Sequence, residues 1–533
     1  MASLTAEDLL AAGWLPGRDF GQALLKAKDY EARGITDLEY LLKLLRRDLP
    51  QVKPRIRPRE QPAPFSEAIE STCQEDFLNI GNVRRFMREL LHSPVIERGA
   101  VMPDACPAGQ ARATIPVGGA IAVRDAIIPS AHSADICCSM FATFFTSDKT
   151  TAAMLDDLMA STRFGMGGRK EESWVPHPVL NEEVWGNPFL QGLQRHAAMH
   201  MADQGDGNHF AYLGRLAITP AFILHLEDSG HGQHASALRH LSECLVLVTH
   251  HGSRGLGAHV YARGQKAALA HMKRIAEDIP AAAAWLDFNT EEGADYWDAL
   301  QYVSRWTLAN HHSIHARFLE KSGASALTAF GNEHNFVWKR GGLFLHGKGA
   351  TPAWKDDAGR PLLGLIPLNM AAPILMVLGN DNADHLSFAP HGAGRNHSRT
   401  AITRPFKNDD GEINEKKLAA SMAESTRGLD IRWYYGKPDI SETPIGYKPA
   451  AQVKEQLERF NLAKVIAEIQ PLGCIMAGDS GPPPWIRRKL ELTPKQLRAI
   501  EHRAGRRKER TRLKHAGDED EADGDDPVTL PAL

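Results

Sequence analysis

The stretch PHGAGRNHSR, Pro390 to Arg399, decides how the rest of the chain is read. His391 stands before Gly392, Ala393 and Gly394, and Arg395 and Arg399 follow with His397 and Ser398 between them. Small residues leave main-chain N–H groups bare to a phosphate, and arginines add planar donor forks that match its oxygens. A histidine beside such a cradle is placed to attack phosphorus. Taken alone, the stretch also reads as a polar turn bent by its glycines. The other histidines of the chain decide between the two.

Working outward, 533 residues with 43% hydrophobic and 24% charged side chains describe a globular protein of two to four domains, or one large domain with extensions. A net charge of -3 argues against wholesale coating of nucleic acid but leaves room for a local basic groove. No apolar run reaches the ~20 residues needed to cross a bilayer, so no membrane partner is expected. Cysteines stand at 73, 106, 137, 138, 244 and 474, and the N-terminus has no charged-then-apolar leader. A cytoplasmic location is therefore expected. Adjacent Cys137 and Cys138 make a poor disulfide pair, which opens thiolate metal chemistry. The 24 histidines are the compositional anomaly, recurring beside Gly, Asn and Ser.

Residues 1–50 read as a helical module. Thr5 to Asp8 resembles a capping start, LLAAG ends at Gly13, Pro16 and Gly17 break the chain, and two amphipathic helices follow in FGQALLKAKDYEARG and TDLEYLLKLLRRDL. Residues 51–64 are a linker rich in Pro and Arg. From 65 to 478, strand-like runs (VLVTH, LFLHG, FATFF) alternate with helical ones (TTAAMLDDLMAS, VSRWTLANHHSIHARF), which predicts one large α/β (α+β) domain. Residues 479–533 turn basic and then acidic and are expected to be largely disordered. The basic tract suits nucleic acid or a solvated helical face.

Six loops place a potential ligand beside small residues at the end of a strand-like run. They are ADICCSM with Asp135 and Cys138, GDGNHF with Asn208 and His209, VTHHGSRGLG with His250, NEHNF with His334 and Asn335, HGKGAT from His346, and PHGAGR with His391. One carboxylate, one thiolate and several imidazoles suit a borderline transition metal, and a thiolate can bridge two ions. None of these runs has the tight spacing of H-E-x-x-H, so the residue types carry the reading, not the register.

The collinear order AVMPD, DI-x-C-x-M, G-x-GNHF, H-x-GSRGLG, HN, KGAT, IP-x-x-M, HGAGR-x-x-SR and P-x-x-YK resembles the RtcB family of RNA ligases, from about Ala100 to Gly478. The resemblance implies that family's single large domain around a metal-lined cleft. It implies two Mn²⁺ ions held by Asp135, Cys138, His209, His250 and His334, with Cys138 bridging. His391 matches the histidine that takes GMP from GTP. The nucleotide then passes to an RNA 3′-phosphate, opened from a 2′,3′-cyclic phosphate, and a 5′-hydroxyl end seals the strand. Asn208, Asn335, Asn369, Gly392, Ala393, Gly394, Arg395 and Tyr447 are the implied nucleotide contacts, with Arg254 and Lys348 further candidates for phosphate or RNA. An archease-like activator is a possible partner.

The chain departs from the family where the base is read. The carboxylate expected after GNHF-x is Tyr212, and the lysine expected near the end of the domain is Met476 or Ala477. The P-G-S-M loop is Pro367-Leu368-Asn369-Met370, and Gly347, Cys106 and His311 replace an arginine, a histidine and an arginine. Three functions follow: an RNA ligase or end-repair enzyme with altered nucleotide preference, in which Tyr212 and Tyr447 touch the base; a metal-dependent phosphoesterase or nucleotidyl transferase on another substrate; or a non-catalytic protein that binds RNA or recruits partners.

Overall fold

A computed structural model describes residues 4–12, 14, 18–49, 55–72, 74–109, 111–396, 399–408 and 413–479. Gly13, Pro16, Gly17, the first part of the linker (51–54), His397, Ser398 and, beyond Asp479, the basic and acidic C-terminal run all lie outside these residues. The chain divides into two compact units, Met1–Pro58 with Met272–Asp278, and the remainder.

In the first unit, helices Ala6–Ala11, Arg18–Ala32 and Leu38–Asp48 follow the predicted periodicity. Thr5 Oγ1 accepts the Asp8 N–H at 3.2 Å while Asp8 Oδ2 accepts the Thr5 N–H at 2.8 Å. This reciprocal box satisfies two backbone donors that a helix start leaves open. Leu9, Trp14, Ala23, Ala27, Leu41, Leu44 and Leu45 close a small core. The unit also takes in Met272–Asp278, which periodicity within residues 1–50 does not reveal: Ile56 bridges Ala276, and Arg55 Nη2 donates to the Lys273 carbonyl at 2.7 Å.

The second unit mixes helices and strands, the α/β class expected. Its central sheet runs in the order Ser325–Glu333, Ser139–Thr146, Glu243–His251, Phe210–Ala217, Ala463–Met476, Ile374–Gly379, Leu363–Ile366, and these neighbours are antiparallel. Asp430–Trp433 adds in parallel beside Ala463–Met476. FATFF and VLVTH lack clean polar alternation because both faces are covered. Phe144 packs on one face with Tyr212, Val246 and Val248. Phe145 packs on the other with Leu213, Leu247, Leu158 of helix Thr151–Ser161 and Phe318 of helix Glu291–Ser322. Each of these fully buried phenylalanines contributes about 1.5–3 kcal/mol.

A second sheet is ordered Phe65–Glu67, Ile96–Cys106, Val117–Arg124, Leu343–Lys348, Asn335–Arg340. A single residue, His334, separates the edge strand of the central sheet, Ser325–Glu333, from Asn335–Arg340 of the second sheet. Among the described residues no helix is long and apolar enough to cross a membrane.

Candidate functional site

Strand register gathers the histidines. Ser139 pairs with Glu333 on one side and with His251 on the other, and Phe210 pairs with His250. Cys138 therefore precedes one strand, His334 follows its neighbour, His250 lies at the end of the third, and His209 precedes the fourth. Four adjacent strands deliver one ligand each to the same end of the sheet. Asp135 joins them from the turn before Cys138.

Two groups result, Cys138 with His250 and His334, and Asp135 with Cys138 and His209, each with its ligand atoms within 4.8 Å of one another. Cys138 Sγ lies 3.2 Å from His250 Nε2 and 3.5 Å from His209 Nε2. His250 Nε2 is 3.1 Å from His334 Nε2, and His209 Nε2 is 2.8 Å from Asp135 Oδ2. Only Cys138 belongs to both groups.

The donor set fits metal. His250 donates its Nδ1–H to the Asn208 carbonyl at 3.1 Å, which leaves a lone pair on the inward Nε2 and fixes the ring as metal-binding histidines are fixed. Burial pushes His250 down to about 3 and His334 well below its ordinary value, so both rings are neutral, as a metal ligand has to be. Converging lone pairs repel unless a cation sits among them. Burial, reinforced by the Asp135 charge, pushes the Cys138 thiol far up, and a metal ion is what turns such a thiol into a thiolate. Burial works against the Asp135 charge, yet His209 and Arg254 hold that carboxyl below its usual range. Arg254, at a positive φ of 54°, donates from Nη1 to His209 Nδ1 at 3.0 Å.

His391 follows the short strand Phe388–Pro390 and sits with its ring centroid 4.9 Å from that of His334. Asp104, fully buried on the strand Ile96–Cys106, accepts from His391 Nδ1 at 2.6 Å and from its backbone N–H at 3.2 Å. The carboxylate thus holds the Nδ1 proton and leaves the Nε2 lone pair outward. Gly394, at φ 69°, allows this approach, because a Cβ there would lie 1.9 Å from the Asp104 carbonyl oxygen. In the sequence Asp104 is the last residue of AVMPD, and an aspartate at the end of an apolar strand is the only local signal of its part in the site.

A cavity of about 250 Å³ opens beside His391. Of the expected nucleotide contacts it is lined by Asn208, Asn369, Gly392, Ala393, Gly394, Arg395 and Tyr447, together with Tyr212 and Met476. Asn335 is elsewhere, bracing the turn: its Oδ1 accepts the Gly349 N–H at 2.7 Å and its Nδ2 donates to the Asp135 carbonyl at 3.3 Å. Lys348 reaches the Ile115 carbonyl at 3.4 Å, and burial lowers its ammonium to about 8.

Arg395 is not an open fork. It donates to the Ser441 carbonyl and to Glu442 Oε2, both at 2.6 Å, and lies over the Tyr447 ring, whose hydroxyl donates to the same carboxylate at 2.6 Å. The Tyr212 hydroxyl donates to the Ile469 carbonyl at 2.9 Å, so its ring rather than its O–H faces the cavity. His311 and His346 are buried structural groups, bonded to Ser139 and Thr249 and to the Ile128 N–H respectively.

The family model described as tRNA-splicing ligase RtcB matches residues 187–477, more than half of the chain. The chain belongs to the RtcB family. The tRNA-splicing ligase RtcB of Archaeoglobus fulgidus is 26% identical over 215 residues, 35% of this chain and 42% of that protein. That of Pyrococcus horikoshii is 27% identical over 216 residues, 35% of this chain and 24% of that protein. The chain thus spans less than half the length of these curated RtcB relatives. RNA-splicing ligase RtcB1 of Escherichia coli is 25% identical over 414 residues, 70% of this chain and 89% of that protein.

Proposed function

We propose that this protein is an RNA ligase that joins a 3′-phosphate or 2′,3′-cyclic phosphate end to a 5′-hydroxyl end through a nucleotide carried on His391, with GTP the donor implied by the family. The observation that carries this reading is the Asp104–His391 pair, a histidine with one nitrogen held by a buried carboxylate and the other turned out next to two groups of metal ligands.

Asp135, Cys138, His209, His250 and His334 would hold two Mn²⁺ ions. Bound there, such ions neutralise charge on phosphoryl oxygens and align the reacting ends. His391 Nε2 attacks the α-phosphorus, an N–P bond forms, the P–O bond to pyrophosphate breaks, and Asp104 keeps the Nδ1 proton and steadies the charge that the ring acquires. An oxygen of the RNA 3′-phosphate then attacks the same phosphorus and the N–P bond breaks. The 5′-hydroxyl of the second end attacks the activated 3′-phosphate and gives its proton to solvent; the phosphodiester P–O bond forms as the anhydride P–O bond breaks and the nucleoside monophosphate leaves. Small residues at Gly392 to Gly394 let the phosphates approach the backbone.

The test is covalent labelling of the full chain with Mn²⁺ and each α-labelled nucleoside triphosphate in turn. An acid-labile label lost in His391→Ala is expected. No label with any nucleotide, or one that persists in His391→Ala, overturns the reading.

A further inference from the structure

The cavity beside His391 has two unlike ends. On the sheet, Phe210 pairs with both His250 and Met476, while Tyr212, two residues further along the strand and on the same face, pairs with Cys474. The row holding His250 is the metal end; the row of Tyr212 and Cys474 lies one step away from it. Tyr212 and Cys474 stand in that far row and Met476 in the Phe210 row; with Leu368, Met370 and Ile374 they line the cavity, each no more than 6% exposed. None of the six is charged. The Tyr212 hydroxyl is spent on the Ile469 carbonyl, and burial keeps the Cys474 thiol protonated. The charged lining groups, Arg395 and Glu442, are bonded to each other and to Tyr447.

A nucleotide joined at His391 would have its phosphate at the metal end, and this wall is what the cavity then offers its base. Guanine brings a carbonyl, a ring N–H and an amino group on one edge; adenine brings a ring nitrogen and an amino group. A buried polar group without a partner is penalised, so a wall that offers no charged partner disfavours the base with more such groups. We propose that this cavity holds a purine by shape and apolar contact and takes adenine at least as well as guanine. The proposal rests on the reading that His391 carries a nucleotide.

AMP and GMP have no leaving group on the α-phosphorus, so their binding to the unaltered protein with Mn²⁺ can be measured at equilibrium by calorimetry without reaction. The expected result is a dissociation constant for AMP equal to or below that for GMP. Met476→Lys, which puts an ammonium donor against the base, is expected to shift the ratio tenfold or more toward GMP; Leu368→Lys on the neighbouring loop repeats the test if the first substitution prevents folding. GMP binding tenfold tighter than AMP in the unaltered protein, or a ratio that neither lysine moves, overturns the proposal. If His391 is still labelled in that case, the ligase reading survives and only the base preference falls. Binding of neither mononucleotide, with no label on His391, overturns both.

Discussion

Two cysteines adjacent in the chain have opposite surroundings. Cys138 Sγ is shared by both ligand groups, whereas Cys137, at φ 56°, is buried outside them. Cys138→Ala is expected to abolish Mn²⁺ binding at both positions and Cys137→Ala to leave it nearly unchanged, read as metal per chain by elemental analysis after gel filtration. Equal losses in the two variants would refute the bridging role. At Asp104 the expectation concerns the proton. Asp104→Asn preserves shape but removes the charge that steadies the His391 ring, and should slow labelling of His391 by about 100-fold or more while metal content stays constant. Unchanged labelling would show that the carboxylate does not act. Residue types and motif order pointed to His391 and to the candidate metal ligands in the sequence. They did not expose Asp104, because its value lies in a contact with a residue 287 positions away.

At the scale of elements, the 14-residue strand Ala463–Met476 is the seam of the central sheet, pairing with three others. At Gly473 a Cβ would meet the Asp430 carbonyl oxygen at 2.6 Å and Leu155 Cδ1 at 2.6 Å. Gly473→Ala should therefore push Asp430–Trp433 and helix Thr151–Ser161 aside and cost about 1–3 kcal/mol, seen as a lower urea midpoint. A midpoint equal to that of the unaltered protein would mean the strand gives way freely. The strands VLVTH, LFLHG and FATFF were legible from β-branched and aromatic runs, and the first helix from its Thr-x-x-Asp start. Partners were not legible. Nothing local in NEHNF shows that Asn335 braces a turn, or that His334 is the joint between two sheets.

For the whole molecule, several buried imidazoles must stay neutral. Burial pushes His132 down to about 4, and His315 and His346 to about 3. His346 Nε2 accepts the Ile128 N–H at 3.0 Å, a bond that protonation would break. Unfolded imidazoles take up protons near pH ~6.5. Below that value the unfolded chain binds protons that the folded one does not, so the contribution is fully present above about pH 6.5 and is lost as pH falls toward 4. The metal-free protein should keep a constant urea midpoint between about pH 6.5 and 8, below the range in which Lys348 titrates, and lose it steadily below 6.5. A flat midpoint below about pH 6.5 would refute the neutral state, and His346→Asn should shallow the slope.

By itself the sequence determined the fold class, the run of helices and strands, and the chemical types available to a site, because periodicity and residue type are local properties. Its motif order also pointed to the family. Only the tertiary structure decided which atoms meet. Antiparallel register brings His209, His250, His334 and Cys138 to one end of four strands, and a buried carboxylate on the second sheet orients His391 in PHGAGR. Two tyrosines expected to touch the base line the cavity and give their hydroxyls to Ile469 and Glu442. Such outcomes depend on pairing between distant segments, where desolvation and hydrogen-bond competition choose the partner, and no local pattern carries that information.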